Sequence, residues 1–125
     1  MALCHGKEGL ALTELADHFD LESMDMLREV MDDEFPELIR VYIDDSSARL
    51  PEIHSALGAG DTVRLRELAH TFKGASSNIS AASLAKLCYD LELAAKENRR
   101  DELADLVALV EREYAAVESL LRGMI

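Results

Sequence analysis

Tryptophan is absent from the sequence, and proline, cysteine and glycine are scarce at two, two and six residues. So few glycines and prolines leave too little turn chemistry for a fold of many short strands. Cys4 and Cys88 lie far apart with no CxxC pair, which excludes the dense disulfide framework of small secreted domains and points to a reduced, cytoplasmic protein. No apolar run approaches the roughly 18 residues of a membrane-spanning helix. Lys7, Glu8, Glu14 and Asp17 interrupt the N-terminal apolar residues, so neither a signal peptide nor a lipid anchor is expected. Positive charge is also short, with 13 Lys and Arg against 25 Asp and Glu and a net charge of −12. Nucleic acid and anionic membrane surfaces would repel such a chain and are excluded as partners.

What remains is a chain of 125 residues, 49% hydrophobic, with three Tyr and three Phe as its aromatics. That length suits one domain, and its core must come from Leu, Ala, Val and Ile. Strong helix formers dominate, so the fold class expected is all-α.

Apolar spacing sets out the elements. Residues 1–22 form an N-terminal segment, weakly ordered or a short helix, in which Leu10, Leu12, Leu15 and Phe19 could make an amphipathic turn. Ser23 is the predicted N-cap of a short helix of roughly ten residues with Met24, Leu27, Val30 and Met31 at helical spacing. Pro36 suits the first turn of a long helix carrying Phe35, Leu38, Ile39, Tyr42, Ile43, Leu50, Ile53 and Leu57. That helix ends near Gly58–Gly60 and should kink or bend at Pro51. Asp61 caps a helix with Leu65, Leu68, Phe72 and Ile79, and Ser80 is the predicted cap of another with Leu84, Leu87, Cys88, Leu91 and Ala95. A last helix follows Asn98 and carries Leu103, Leu106, Val107, Val110, Tyr114, Val117, Leu120 and Leu121. Residues 23–125 therefore read as one free-standing domain, an antiparallel up-down four-helix bundle with a short extra N-terminal helix. A single bundle can bury its own apolar stripes, so a monomer is expected.

One face of the third long-range pattern is chemically unusual. His70 lies well off the Leu65, Leu68, Phe72, Ile79 stripe, and Lys73, Gly74 and Ser77 share its face at i+3, i+4 and i+7. Neutral imidazole is a nucleophile near physiological pH, and an anionic group carried on its nitrogen needs a nearby cation such as Lys73. Gly74 costs a helix about 1 kcal/mol relative to Ala, which a bare patch of backbone open to a partner would justify. Residues 61–100 hold seven Lys and Arg against five Asp and Glu, leaving six against twenty elsewhere, so the positive excess surrounds His70. By contrast, His5, His18 and His54 read as ordinary surface residues, and Ser76 and Ser77 taken alone as helix-surface filler.

The run His70-Thr71-Phe72-Lys73-Gly74-Ala75-Ser76-Ser77-Asn78-Ile79-Ser80-Ala81 resembles the signature H-x-x-K-G-x-x-x-x-x-G of histidine-containing phosphotransfer (HPt) domains. The region from Glu29 to Glu92 is similar to stand-alone bacterial members of the HptB type. The resemblance implies a phosphoryl group on Nε2 of His70, Lys73 near its oxygens, and Gly74 allowing close approach of a partner. It implies that Glu92, 22 positions after the histidine, orients Nδ1 from the neighbouring helix. Ser77 and Lys96 are then candidates for partner contact, although Lys96 could instead pair with Glu92 at i,i+4. The family's later glycine is Ser80 here, a departure that bears on partner fit.

The function so implied is a phosphorelay step, from a receiver-domain aspartate of a hybrid sensor kinase to His70 and on to a response regulator. The chain itself would bind no cofactor or metal, and Mg²⁺ is expected on the partner receiver domain. Gly6-Lys7 lacks the rest of a P-loop, so self-phosphorylation from a nucleotide is not expected and the protein is a carrier rather than a kinase. Two other readings compete. Glu67-x-x-His70 matches half of a di-metal carboxylate bundle, but the motif occurs once. A helical adaptor that binds signalling partners without phosphotransfer would leave His70, Lys73 and Gly74 unexplained.

Overall fold

The computed structural model describes residues 15–125, and among them every regular element is helical. The order is α1 (Leu21–Met31), a 3₁₀ turn (Asp32–Glu34), α2 (Phe35–Ala59), α3 (Thr62–Asn78), α4 (Ala82–Lys96) and α5 (Arg100–Arg122). Helices α2 to α5 form an antiparallel four-helix bundle in which each packs on the next and α2 closes the ring against α5. Helix α1 is the short extra N-terminal helix, packed against α2.

Capping is where the structure departs from the sequence reading. Asp20, not Ser23, caps α1, its carboxylate accepting from the Ser23 backbone N–H at 3.2 Å. The helix therefore starts earlier, because an aspartate three residues ahead of Ser23 offers a stronger acceptor to the positive helix end. Leu10 and Leu12 lie outside the described residues. Leu15–His18 make a helical turn, and Phe19 behind it is buried at 3% exposure. Met24 is buried in α1, whereas Val30 is 80% exposed. Val30 stands one position before the Met31 that completes the buried stripe, and so falls on the outer side of the helix.

Pro36 and Asp61 act as the sequence predicts, Pro36 in the first turn of α2 and Asp61 accepting from the Arg64 backbone N–H at 3.0 Å. Pro51 does not break α2, which runs 25 residues through it. Both Pro51 and Ser47, whose carbonyl loses its partner, are exposed, so water can replace the missing bond.

Three helix ends share one geometry. Gly60, Ser80 and Asn98 adopt left-handed φ values of 66°, 63° and 55°. Each turn closes with paired bonds back into the helix: Gly60 N–H to Leu57 O and Asp61 N–H to Ala56 O, Ser80 N–H to Ser77 O and Ala81 N–H to Ser76 O, Asn98 N–H to Ala95 O and Arg99 N–H to Ala94 O. This is the Schellman arrangement, and it allows links of two or three residues. Ser80 is thus not the N-cap of α4; Ala81 holds that place without a side-chain bond. The left-handed φ gives a backbone reason for glycine at this position of the signature. The Ser80 carbonyl also accepts from the Asp20 backbone N–H at 2.9 Å, tying the entry to α1 onto the α3–α4 turn.

The core beneath α3 is aromatic. Phe72 is fully buried, with ring centroids 6.5 Å from Tyr42 and 5.9 Å from Tyr114. Tyr42 and Ser76 hydroxyls pair at 2.8 Å, and the Tyr114 hydroxyl donates to Ile43 O at 3.3 Å. Burial pushes both phenols further up from their ordinary range, so they remain protonated. Ser76 is therefore a buried hydrogen-bond partner, not surface filler.

A non-glycine residue in the left-handed region costs roughly 1–2 kcal/mol. Ser80→Gly is accordingly expected to stabilise the fold by about 1 kcal/mol, read as a higher urea midpoint with unchanged helical content. A lower midpoint would show that the Ser80 hydroxyl outweighs the backbone strain.

Candidate functional site

The buried face of α3 consists of Leu65, Leu68, Ala69, Phe72 and Ser76. Fixing those residues inward turns His70 outward, and its side chain is 66% exposed. Helix α4 lies alongside, and Glu92 rises from it to meet α3. Glu92 Oε2 is 3.0 Å from His70 Nδ1, and Glu92 Oε1 accepts from Lys73 Nζ at 2.7 Å. One carboxylate thereby bridges the imidazole and the ammonium.

Glu92 is only 18% exposed. Its burial opposes ionisation, but the hydrogen bonds from Lys73 and His70, with their charges, outweigh that and hold the carboxyl below its ordinary value. An ionised carboxylate has no proton to give, so His70 Nδ1 must be the donor. In the neutral ring the tautomer follows: Nδ1 carries the hydrogen and the lone pair is on Nε2. Lys73 is held from a second side by Tyr89, whose ring centroid is 5.4 Å from Nζ.

Gly74 follows one turn after His70 on the same face. A Cβ built there meets nothing within 4 Å, so packing inside the molecule does not require glycine. Ser77, one turn further, is exposed. Lys96 is exposed and does not pair with Glu92, whose two oxygens serve His70 and Lys73. The structure thus brings His70, Lys73 and Glu92 into contact, sets Gly74 and Ser77 along the same ridge, and leaves Lys96 outside the hydrogen-bonded group.

Several neighbours escaped the sequence reading. Val63 and Arg66 join Glu67, His70, Thr71 and Glu92 in lining a depression of about 500 Å³. Tyr89 has a readable signal, since it precedes Glu92 by three positions on the exposed side of α4. Arg49 had none: it stands at a core-facing position of α2 with its guanidinium 5.5 Å from the Phe72 ring centroid. Away from the site, His54 is a surface residue paired with Glu111 at 2.7 Å, whereas His18 is largely covered and pairs with Glu113. His5 lies outside the described residues. Cys88 is buried and its thiol is pushed up to about 12 by desolvation, which leaves it a core residue. No helix among the described residues is long and apolar enough to cross a membrane. Glu67 does not join His70 in a group of three potential metal ligands; among the described residues no such group exists.

The family model of the Hpt domain matches residues 37–120, which takes in α3, α4 and every member of the bridged group. The chain belongs to the Hpt domain family. Similarity in structure agrees with this. The crystal structure of histidine-containing phosphotransfer protein B (HptB) from Pseudomonas aeruginosa PAO1 matches with a TM-score of 0.83 and 41% identity over 86% of this chain and 93% of that one. A histidine-containing phosphotransfer protein from maize has the same fold, with a TM-score of 0.82 at 19% identity over 96% of this chain and 93% of that one. No curated protein matches the sequence. Within this Hpt domain, the helix contributing the exposed histidine and the helix contributing its carboxylate partner are the two most extensively packed against each other.

Because the Glu92 carboxyl is held below its ordinary value, its ion pairs stabilise the Hpt domain fully above the ordinary carboxylate pKa of about 4.3 and lose that effect as pH falls through the depressed value. The stability difference between wild type and Glu92→Gln should therefore be largest near neutrality and shrink on acidification, measured by urea unfolding from pH 7 to pH 3. A difference independent of pH would show that Glu92 stabilises by packing alone.

Proposed function

We propose that this chain is a phosphorelay carrier that accepts a phosphoryl group on His70 Nε2 from a receiver-domain aspartate of a sensor kinase and passes it to the receiver of a response regulator. The observation that carries this reading is the division of labour at the imidazole. Nδ1 is hydrogen-bonded to a half-buried, ionised Glu92 in an imidazole whose side chain is 66% exposed, which leaves Nε2 as the nitrogen for chemistry.

The geometry has a chemical consequence. As Nε2 forms its bond to phosphorus, positive charge develops on the ring, and Glu92 offsets it through the Nδ1–H it already holds. Departure of the phosphoryl group reverses that change and returns the neutral tautomer. Lys73 keeps the carboxylate ionised and aimed, since without it one oxygen of the partly buried Glu92 loses its partner. Gly74 and Ser77 give the partner a low ridge beside the reacting nitrogen. The receiver brings its own acidic residues and Mg²⁺, and the chain acts in the cytoplasm as a monomer without kinase activity of its own.

Incubation of the purified protein with a phosphorylated receiver domain should place an acid-labile, base-stable phosphoryl group on wild type and none on His70→Gln. No transfer from a broad panel of receivers, with binding and signalling retained by His70→Ala, would instead support an adaptor. Gly74→Ala separates docking from folding. Restoring Ala to this exposed helical position is expected to stabilise the domain by about 1 kcal/mol, while transfer from the receiver slows. Unchanged transfer rates would remove Gly74 from the docking surface.

A further inference from the structure

A phosphoryl group on Nε2 would bring about two negative charges to a rim that already holds Glu67 and Glu92. Lys73, the cation on the C-terminal side of His70, is engaged on two sides, by Glu92 at 2.7 Å and by the Tyr89 ring. Lys96 does not line the depression. Arg64 is occupied elsewhere, 3.6 Å from Glu52 and 4.0 Å from Glu67. Arg66 differs from all three. It is exposed, joins no ion pair among the described residues, and is the single Lys or Arg lining the depression beside His70.

Helix geometry favours the same residue. Side chains on a helix lean toward its N-terminus, so the His70 imidazole leans over the turn of Arg66, four residues earlier. The depression opens on that side too, toward Val63 and Arg66 and away from Gly74. A guanidinium presents a fork of N–H donors suited to phosphoryl oxygens.

We propose that Arg66 is the residue of this chain that meets the phosphoryl oxygens on His70, with Lys73 acting through Glu92 as a positioning residue. The inference rests on the carrier reading, and phosphoramidate, a small donor that needs no receiver, tests the two separately. In its zwitterionic form, the His70 Nε2 lone pair forms the new P–N bond as the donor's P–N bond breaks, and ammonia leaves with the bonding pair. The ring keeps its Nδ1–H against Glu92.

Loading is followed by ³¹P NMR, and the arginine side chains by their Nε–H signals. Loading of Arg66→Gln should be about three-fold slower than wild type, in keeping with one exposed charge pair, and Arg66→Lys should recover most of the rate. Arg64→Gln should load as wild type. The Arg66 Nε–H signal should shift on phosphorylation while that of Arg64 stays in place. Normal loading of Arg66→Gln with an unmoved Arg66 signal would overturn this proposal and leave the carrier reading standing. Absence of any adduct on wild-type His70 would overturn both.

Discussion

A helix can bury one face, and α3 has two residues that cannot both go inside. Phe72 and His70 are two positions apart and so point to nearly opposite sides. Burying a phenylalanine side chain contributes about 1.5–3 kcal/mol, and Phe72 sits fully enclosed between Tyr42 and Tyr114. Exposing it in order to bury a histidine would lose that contribution and desolvate a polar ring. The rotation of α3 is therefore set by its apolar residues, and the exposure of His70 follows from core packing. Leu65, Leu68, Ala69 and Ser76 hold the same phase from either side.

Once α3 is fixed in rotation, the neighbour on its flank decides what His70 can do. Glu92 and His70 are placed with opposite exposures, 18% against 66%. A carboxylate on the outside would be solvated and free to leave, whereas a half-buried one is costly unless its oxygens are satisfied. Lys73 and the imidazole N–H satisfy them. The desolvation that opposes ionisation thus also keeps the carboxylate in contact with His70, and the tautomer is maintained by helix packing. Both helices are regular through the site, so the geometry does not depend on a loop.

How far the sequence could be read follows from the range of the forces involved. Asp61 and Pro36 were legible because a cap or a helix start is settled within a turn of chain. The four long stripes, the outward His70 and the neighbouring Lys73 and Gly74 were legible because helical periodicity projects them. Ser80 misled because serine is a good cap, whereas the residue here takes the left-handed place after α3 and leaves capping to Ala81. Ser23 misled because Asp20 caps the helix three residues earlier, taking the Ser23 N–H itself as its donor. Pro51 sits inside a continuous α2 because water can reach the carbonyl it frees. Ser76, His18 and Arg49 were illegible for another reason: their environments are supplied by other helices. The contact of Glu92 with His70 crosses between helices as well, and it was anticipated through family resemblance rather than through periodicity.

Gly74 separates what the fold needs from what a partner needs. Gly60 has a left-handed φ, so its lack of a side chain serves the backbone. Gly74 lies inside a regular helix, and a Cβ there would touch nothing. Folding would favour alanine at that position, and neither a turn nor a close helix contact argues against it. A residue that weakens its own helix without relieving strain or crowding points to a constraint outside the molecule. Its place one turn from His70, on the ridge shared with Ser77, puts that constraint on the face where the proposed carrier role would bring a partner's phosphoryl group to Nε2. The bare backbone at Gly74 and the exposed imidazole at His70 are then two parts of one surface, the second dictated by core packing and the first at odds with the isolated fold.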